Sequence, residues 1–400
     1  MSHVPPGFTV IDGELGIAGQ PASHWASLAG DTPLFVYDRR LIAQRITALR
    51  RALPREIGIH YAIKANPLPV LVDWMAAQVD GVDVASGGEL DIALASGALP
   101  STIGFAGPGK RDRELGAAIA AGVTINVESV GELERLAKLG GTSAVLRINP
   151  DFELKGSGMR MGGRASPFGI DAAEIPGALR RAAALDVTIT GFHVYGGSQS
   201  LSTTGIIDAQ FRTIELVGRL AAEATTPIVH VNLGGGFGIP YFAKDEPLDL
   251  DAIGTALGQA LADRAPALRE TRFVIELGRF LVGEAGVYLT RVVDRKLSNG
   301  KLFIVTDGGL HHQLAASGNF GTVIKRNYPI ANASRFAAPD EDIADVVGCL
   351  CTPLDRLGSD VALPRTEVGD LIAIFMAGAY GASASPTAFL GHRAATEIFA

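Results

Sequence analysis

Cysteine is nearly absent. The chain has two, Cys349 and Cys351, one residue apart. That spacing makes a disulfide between them improbable, and two thiols alone make no metal site. Charge is sparse as well: Asp, Glu, Lys and Arg make up 19% of the 400 residues, with 35 basic against 42 acidic side chains and a net charge of -7. That balance argues against nucleic acid as a main partner. No unbroken apolar run reaches the ~18 residues of a membrane span, so no membrane partner is expected; the longest runs from Leu371 to Ala377. The opening residues, MSHVPPGFTV, lack a basic stretch followed by an apolar one, so no secretory signal is expected and a cytoplasmic protein is. No internal repeat or low-complexity tract stands out. Apolar residues are plentiful, at 47%, and so is glycine, at 49 residues. The first supply a large core; the second allow loops whose backbone lines a ligand.

Short apolar, β-rich runs alternate with helical spacings. After Pro33–Tyr37 and a helix carrying Leu41, Ile42, Ile46, Leu49 and Leu53, strands are predicted at Gly58–Ile63, Val82–Val84, Ile103–Phe105, Val123–Val127, Ala144–Ile148, Val187–Val194, Ile228–Asn232 and Phe273–Ile275. Helices separate them, among them one predicted from Ile206 to Ala224. Near-continuous apolar strands joined by helices suit a parallel sheet covered by helices, and this number of units suits an α/β fold of the (β/α)8 type, a TIM barrel. After Gly283 the pattern turns to strands with few helices: Val287–Val293, Leu302–Val305, Ile343–Val347 and Leu371–Phe375. The expected domains are a barrel over residues 37–283 and a β-rich domain built from 1–36 and 284–400. Phe152–Gly169 reads as a long glycine-rich loop after strand five, and loops of that length are usually functional.

Reactive groups of such barrels sit at the C-terminal strand ends. There the sequence puts Lys64, Asp83, Arg147, His193, Tyr195, Ser198, Gly234-Gly235-Gly236, Glu276 and Arg279. An enclosed amine at Lys64 is desolvated and suited to a Schiff base; a surface lysine is the equal alternative. The glycine triplet, Arg279 and Ser198 suit one phosphate. Glu276 beside a heteroaromatic nitrogen favours its protonated form. Asp83 and Arg147 are expected to pair, either beneath a bound ring or as a plain salt bridge. Tyr195 either stacks on a ring or fills the core. Cys349 and Cys351, read as alternate strand positions, share a face, and both buried and inert is the default. His311-His312 give a weak metal signal and are expected as solvated loop histidines.

Together these residues resemble the fold type III pyridoxal-phosphate decarboxylases, the group that holds the diaminopimelate and ornithine decarboxylases. The resemblance rests on Tyr61-Ala62-Ile63-Lys64-Ala65-Asn66, on Asp83-Val84-Ala85-Ser86 with Glu89, on Gly234–Phe237, on Glu276–Arg279, on Gly348–Asp355 and on Gly378–Gly381. It implies a barrel like that of alanine racemase with a C-terminal β-domain, and pyridoxal 5′-phosphate as cofactor. Lys64, Glu276, Tyr195 and Cys351 become the catalytic set. Lys64 carries the cofactor, and Glu276 pairs with its ring nitrogen. Asp83, Arg147, His193, Tyr195, Ser198, Gly235, Gly236, Arg279 and Tyr380 surround it, the last five holding the phosphate. Cys351, reaching in from a second subunit, protonates the substrate carbon once CO2 has left, which implies a homodimer. Asp307, Thr352, Asp355 and Arg160 are the expected substrate contacts, and Lys155 and Arg164 lie in the same loop as Arg160.

Two departures from the family pattern stand out. Tyr195 occupies the place of a ring-stacking histidine, with His193 two residues earlier. Thr352 follows Cys351 where the diamine-forming enzymes commonly have an acid. The stretch Asn149–Gly169 and the ending Ser383–His392 resemble a subgroup linked to exosortase and exopolysaccharide loci, itself similar to enzymes that decarboxylate a glutamyl group on an acyl carrier protein. The resemblance therefore implies an amino-acid α-decarboxylase acting on a free amino acid or a carrier-bound aminoacyl group. The alternatives are a diaminopimelate decarboxylase proper, an amino-acid racemase, and a non-catalytic regulator. Racemases of this fold set an Arg against the ring nitrogen, so Glu276 favours decarboxylation.

Overall fold

A computed structural model describes residues 4–160, 162–318 and 326–400, without the side chains of Ser157, Met159 and Arg160. The chain divides into two compact units, one of residues 45–239 and 246–280, the other of 1–44, 240–245 and 281–400.

The first unit is a closed parallel barrel. Its strands are β1 (Ile57–Ala62), β2 (Gly81–Val84), β3 (Ile103–Phe105), β4 (Thr124–Val127), β5 (Ser143–Asn149), β6 (Thr188–Val194), β7 (His230–Asn232) and β8 (Arg272–Leu277). Each pairs in parallel with the next, and β8 pairs with β1. Every residue of β1 is buried, as a strand covered on both faces requires. Helices cover the outside, and their starts are written in short polar signals. Ser86 accepts from the Glu89 N–H at 3.2 Å, while Glu89 reaches back to the Ala85 N–H at 2.7 Å. Ser129 and Glu132 repeat the device after β4, at 3.1 Å and, to the Glu128 N–H, 3.0 Å. These are variants of the capping box. The helix predicted from Ile206 instead begins at Thr203, because Ser202 caps it through the Gly205 N–H at 3.0 Å.

The segment after β5 differs from the loop the sequence suggests. Ser157–Arg160 is a strand, paired antiparallel with Gly197–Ser200 after β6. The loops that follow two neighbouring barrel strands thus close on each other as a ribbon over this edge of the barrel mouth.

The second unit is β-rich. Its long strand Gly286–Ser298 pairs antiparallel with Leu34–Tyr37, Leu371–Ile374 and Lys301–Thr306. Lys301–Thr306 continues in parallel to Asp342–Val347, which pairs with Arg356–Leu363. The last of these has no prediction from sequence, since Gly358, Ser359 and Asp360 interrupt its apolar alternation. Thr9–Ile11, Glu14–Ile17 and Gln20–Pro21 form a small separate sheet ahead of the helix Ala22–Ala29. Among the described residues no helix is long and apolar enough to cross a membrane.

Candidate active site

The C-terminal rim of the barrel gathers the polar groups. Lys64 lies in the single turn Ile63–Ala65 that ends β1. Its side chain is 40% exposed, more open than an enclosed rim position, and its Nζ stands 3.5 Å from Glu276 Oε1. Glu276, next to last in β8, is buried, and its other oxygen lies 3.2 Å from His193 Nε2 on β6. Burial alone would raise this carboxyl group; Lys64 and then His193 outweigh it and hold Glu276 well below the usual carboxylate range. The centre of the rim is therefore a buried carboxylate that stays ionised, bracketed by an amine and an imidazole.

Tyr195, two residues beyond His193, turns to the mouth. Lys64 Nζ lies 5.1 Å and Arg147 Cζ 6.0 Å from its ring centre. The two side chains of the His193-Val194-Tyr195 motif thus separate by depth, the imidazole at the buried carboxylate and the phenol at the opening.

Arg147 and Asp83 do not pair with each other. Arg147 meets Glu128 at 2.7 Å, and Asp83 meets His60 Nδ1 at 3.1 Å. The reason is strand order. Glu128 follows β4, the neighbour of β5 that carries Arg147, and His60 lies on β1, the neighbour of β2 that carries Asp83. Strands β2 and β5 are separated by two others. Glu128 also accepts from the Gly107 N–H, and from the Gly169 N–H at 3.2 Å, so it ties the loops after β3 and β5 to the arginine. Beneath it Lys110 and Glu132 form a buried pair at 2.7 Å. Burial lowers the Lys110 amine against the opposing pull of Glu132. Sequence reasoning misses this network; the Ser129-x-x-Glu132 capping spacing is a signal that points to part of it. Glu89, delivered to the rim by its cap, is raised by burial.

The glycine turn after β7 is tightly held. A Cβ at Gly235 would sit 2.0 Å from the Glu276 carbonyl oxygen, and one at Gly236, whose φ is +80°, would sit 2.7 Å from the Gly197 carbonyl oxygen. Only glycine lets this turn lie between the rims of β6 and β8. Asn232 Oδ1 takes the Gly234 N–H at 2.8 Å; among the described residues the Gly235 and Gly236 N–H groups have no such acceptor. Ser198 lies in the ribbon beside this turn, and Arg279 opens the short helix after β8. Backbone donors, a hydroxyl and a guanidinium on one rim suit a phosphate, and the ionised carboxylate with its neighbouring amine suits a pyridine aldehyde. The residues present fit pyridoxal 5′-phosphate.

The remaining expected residues belong to the β-rich unit or to the ribbon. Cys351 is exposed, in a loop after Asp342–Val347 that closes through Gly348 N–H to the Asp355 carbonyl at 3.0 Å. The two cysteines therefore occupy a loop and share no strand face. Tyr380 has a φ of +56°, a conformation a bulky side chain rarely takes. Asp355 gives both oxygens to loop amides, at 2.7 Å to Leu310 and 2.9 Å to Leu350. Asp307 accepts from Thr290 Oγ1 at 2.6 Å and Arg291 N–H at 2.9 Å. Both acids hold backbone in place, a role that the sequence alone does not separate from substrate contact. Thr352 is half-buried. Lys155 is a solvated side chain 3.7 Å from Asp208, and the Arg160 side chain lies outside the described residues. His311 and His312 are buried, at 0% and 2% exposure, contrary to the solvated loop expected.

Comparison with known proteins gives a consistent result. Residues 39–283 match the family described as pyridoxal-dependent decarboxylase, pyridoxal binding domain. The L-glutamyl-[BtrI acyl-carrier protein] decarboxylase of Niallia circulans is 36% identical, covering 92% of this chain and 88% of that protein. The diaminopimelate decarboxylase of Aquifex aeolicus is 33% identical over 97% of this chain and 91% of its own. Among solved structures, diaminopimelate decarboxylase from M. jannaschii in complex with L-lysine superposes with a TM-score of 0.85 at 28% identity, covering 95% of this chain and 89% of that one.

Proposed function

From the premise that the chain belongs to the pyridoxal-dependent decarboxylases, carboxy-lyases that act on amino acids with pyridoxal 5′-phosphate, we propose that Lys64 is the amine that holds the cofactor. In this reading the substrate is an aminoacyl group presented on an acyl carrier. When bound, the cofactor supplies an electron sink for the pair left on the substrate carbon as CO2 departs. The protein's part is electrostatic. Glu276, kept ionised in a buried place, holds a proton at the ring nitrogen. His193 fixes the orientation of that carboxylate from its other oxygen. Gly235, Gly236, Ser198 and Arg279 offer donors to the phosphate. Asp83, tethered by His60, and Arg147, tethered by Glu128, shape the floor and wall. Tyr195, half-buried beside Lys64, would cover the ring. Cys351 delivers the proton to the substrate carbon, from the second subunit of a homodimer.

The observation that carries this reading is the ionised Glu276 carboxylate 3.5 Å from the Lys64 amine. Two facts support the substrate class: the residue after Cys351 is Thr352, which offers no charge to a distal ammonium, and the 36% identical relative acts on a carrier-bound glutamyl group. Wild-type protein loaded with the cofactor is expected to show visible absorbance that Lys64→Ala abolishes. CO2 release should be greatest with a glutamyl-carrier conjugate and small with free glutamate, ornithine, lysine and diaminopimelate. Rapid turnover of free diaminopimelate with none of the conjugate would overturn the substrate assignment while leaving the Lys64 result intact.

A further inference from the structure

We propose that His311, Cys349 and His392 form a zinc site within the β-rich unit. The parallel strands Lys301–Thr306 and Asp342–Val347 end side by side, Val305 opposite Val347. The turn after the first carries His311, and the loop after the second carries Cys349. His392 comes from the segment ahead of the last strand, Thr396–Phe399. One ligand atom from each of the three lies within 4.8 Å of the others. Cys349 Sγ is 3.8 Å from His392 Nε2 and 3.9 Å from its Nδ1, and the two imidazole rings are centred 4.6 Å apart. A tetrahedral zinc with ordinary bond lengths needs about 3.6 Å between sulfur and nitrogen ligands; Cys349 and His392 already stand within a few tenths of an ångström of that spacing, and a movement of His311 of about an ångström closes the rest.

His311 supplies an independent reason. Its side chain is wholly buried, and among the described residues neither ring nitrogen has a hydrogen-bond partner. Buried polar groups are ordinarily satisfied, and this imidazole faces a thiol and a second imidazole. Its neighbour His312 is not a ligand: Nδ1 lies 3.2 Å from the Tyr288 hydroxyl and Nε2 2.7 Å from the Arg393 carbonyl. Those contacts fix the backbone beside His392. Burial and the two nearby imidazoles hold His311 down at about 3, in the neutral form a metal requires. Burial, then Asp355, pushes the Cys349 thiol up to about 11. Zinc binding therefore releases one proton as the thiol becomes a thiolate, and it replaces the thiol's bond to the Asp307 carbonyl at 3.3 Å. Two imidazoles and one thiolate leave the fourth position of zinc for water. The ion would anchor the loop that also carries Cys351.

The test uses untagged holoenzyme incubated with zinc chloride and desalted. One zinc per chain is expected by elemental analysis, and X-ray absorption should show one sulfur near 2.3 Å with nitrogen or oxygen at about 2.0–2.1 Å. Cys349→Ser and His311→Ala should each weaken zinc by roughly 100-fold or more in competition with a chromophoric chelator. His392→Ala, at the rim of the cluster, provides the same reading should the buried variants not fold. Cys351→Ser should retain the metal. Zinc content no higher than in Cys349→Ser, absorption without a sulfur neighbour, or loss of zinc in Cys351→Ser alone would each overturn the site.

Discussion

A carboxyl group buried as deeply as Glu276 would take up a proton if it stood alone. Its charge persists because Lys64 and His193 face its two oxygens. Replacing the acid by an amide keeps the shape and removes the charge, so Glu276→Gln should lower kcat on the order of 10² to 10³, as loss of a preorganised electrostatic contact does. KM should change little; a large KM effect with kcat preserved would point to binding instead. His230 makes the opposite case. Burial, and then the neighbouring His60 and His193, hold its imidazole at about 3 rather than 6.5. The folded group stays neutral where the unfolded one protonates, so its contribution is whole above pH 6.5 and is lost as the pH falls toward 3. At pH 5 that is about 2 kcal/mol. Urea denaturation at pH 7 and pH 5 should show wild-type stability falling by about that much more than His230→Gln. Lys64, Glu276 and Arg279 are legible in sequence because strand ends are. The partners of Asp83 and Arg147 are not, because the strand that supplies each partner is a matter of barrel order, which no local spacing encodes.

The eight barrel strands are predicted well because each is a short apolar run between helical periods, and burial on both faces makes that pattern strong. The ribbon Ser157–Arg160 is invisible by the same logic. Its partner Gly197–Ser200 lies in another loop, and glycine-rich, polar residues carry no alternation. The strand Arg356–Leu363 is lost for a similar reason, and the surroundings of His311 and His312 include Cys349, His392 and Arg393, which arrive later in the chain. The glycine turn after β7 is legible as a motif, but its purpose is packing as much as donation. A methyl group at Gly235 would meet the Glu276 carbonyl and the Leu277 side chain. Overpacking of that kind costs about 1–3 kcal/mol and displaces the N–H groups together with the end of β8. Gly235→Ala should therefore fold, with near-native circular dichroism, and lose about tenfold or more in pyridoxal 5′-phosphate affinity by equilibrium dialysis. Unchanged affinity would show that the turn has no part in the cofactor site.

At the scale of the whole molecule, the groups proposed for catalysis fall in different units of the chain. Lys64 and Glu276 belong to the barrel unit, Cys351 and Tyr380 to the β-rich one. Cys351 stands exposed at a loop tip, which is where a side chain offered to another subunit has to be. If each active site takes its lysine from one chain and its cysteine from the other, two inactive proteins can repair each other. In a dimer of one Lys64→Ala chain and one Cys351→Ala chain, one site lacks both groups and the other has both. Random reassociation of equal amounts makes half the dimers mixed, so about a quarter of wild-type activity should return. Should both groups instead come from the same chain, every site in the mixture lacks one of them, and activity stays at the level of the parents. Mass spectrometry of the intact dimers fixes the mixed fraction independently, so that a failure to exchange chains is distinguished from a site built within one.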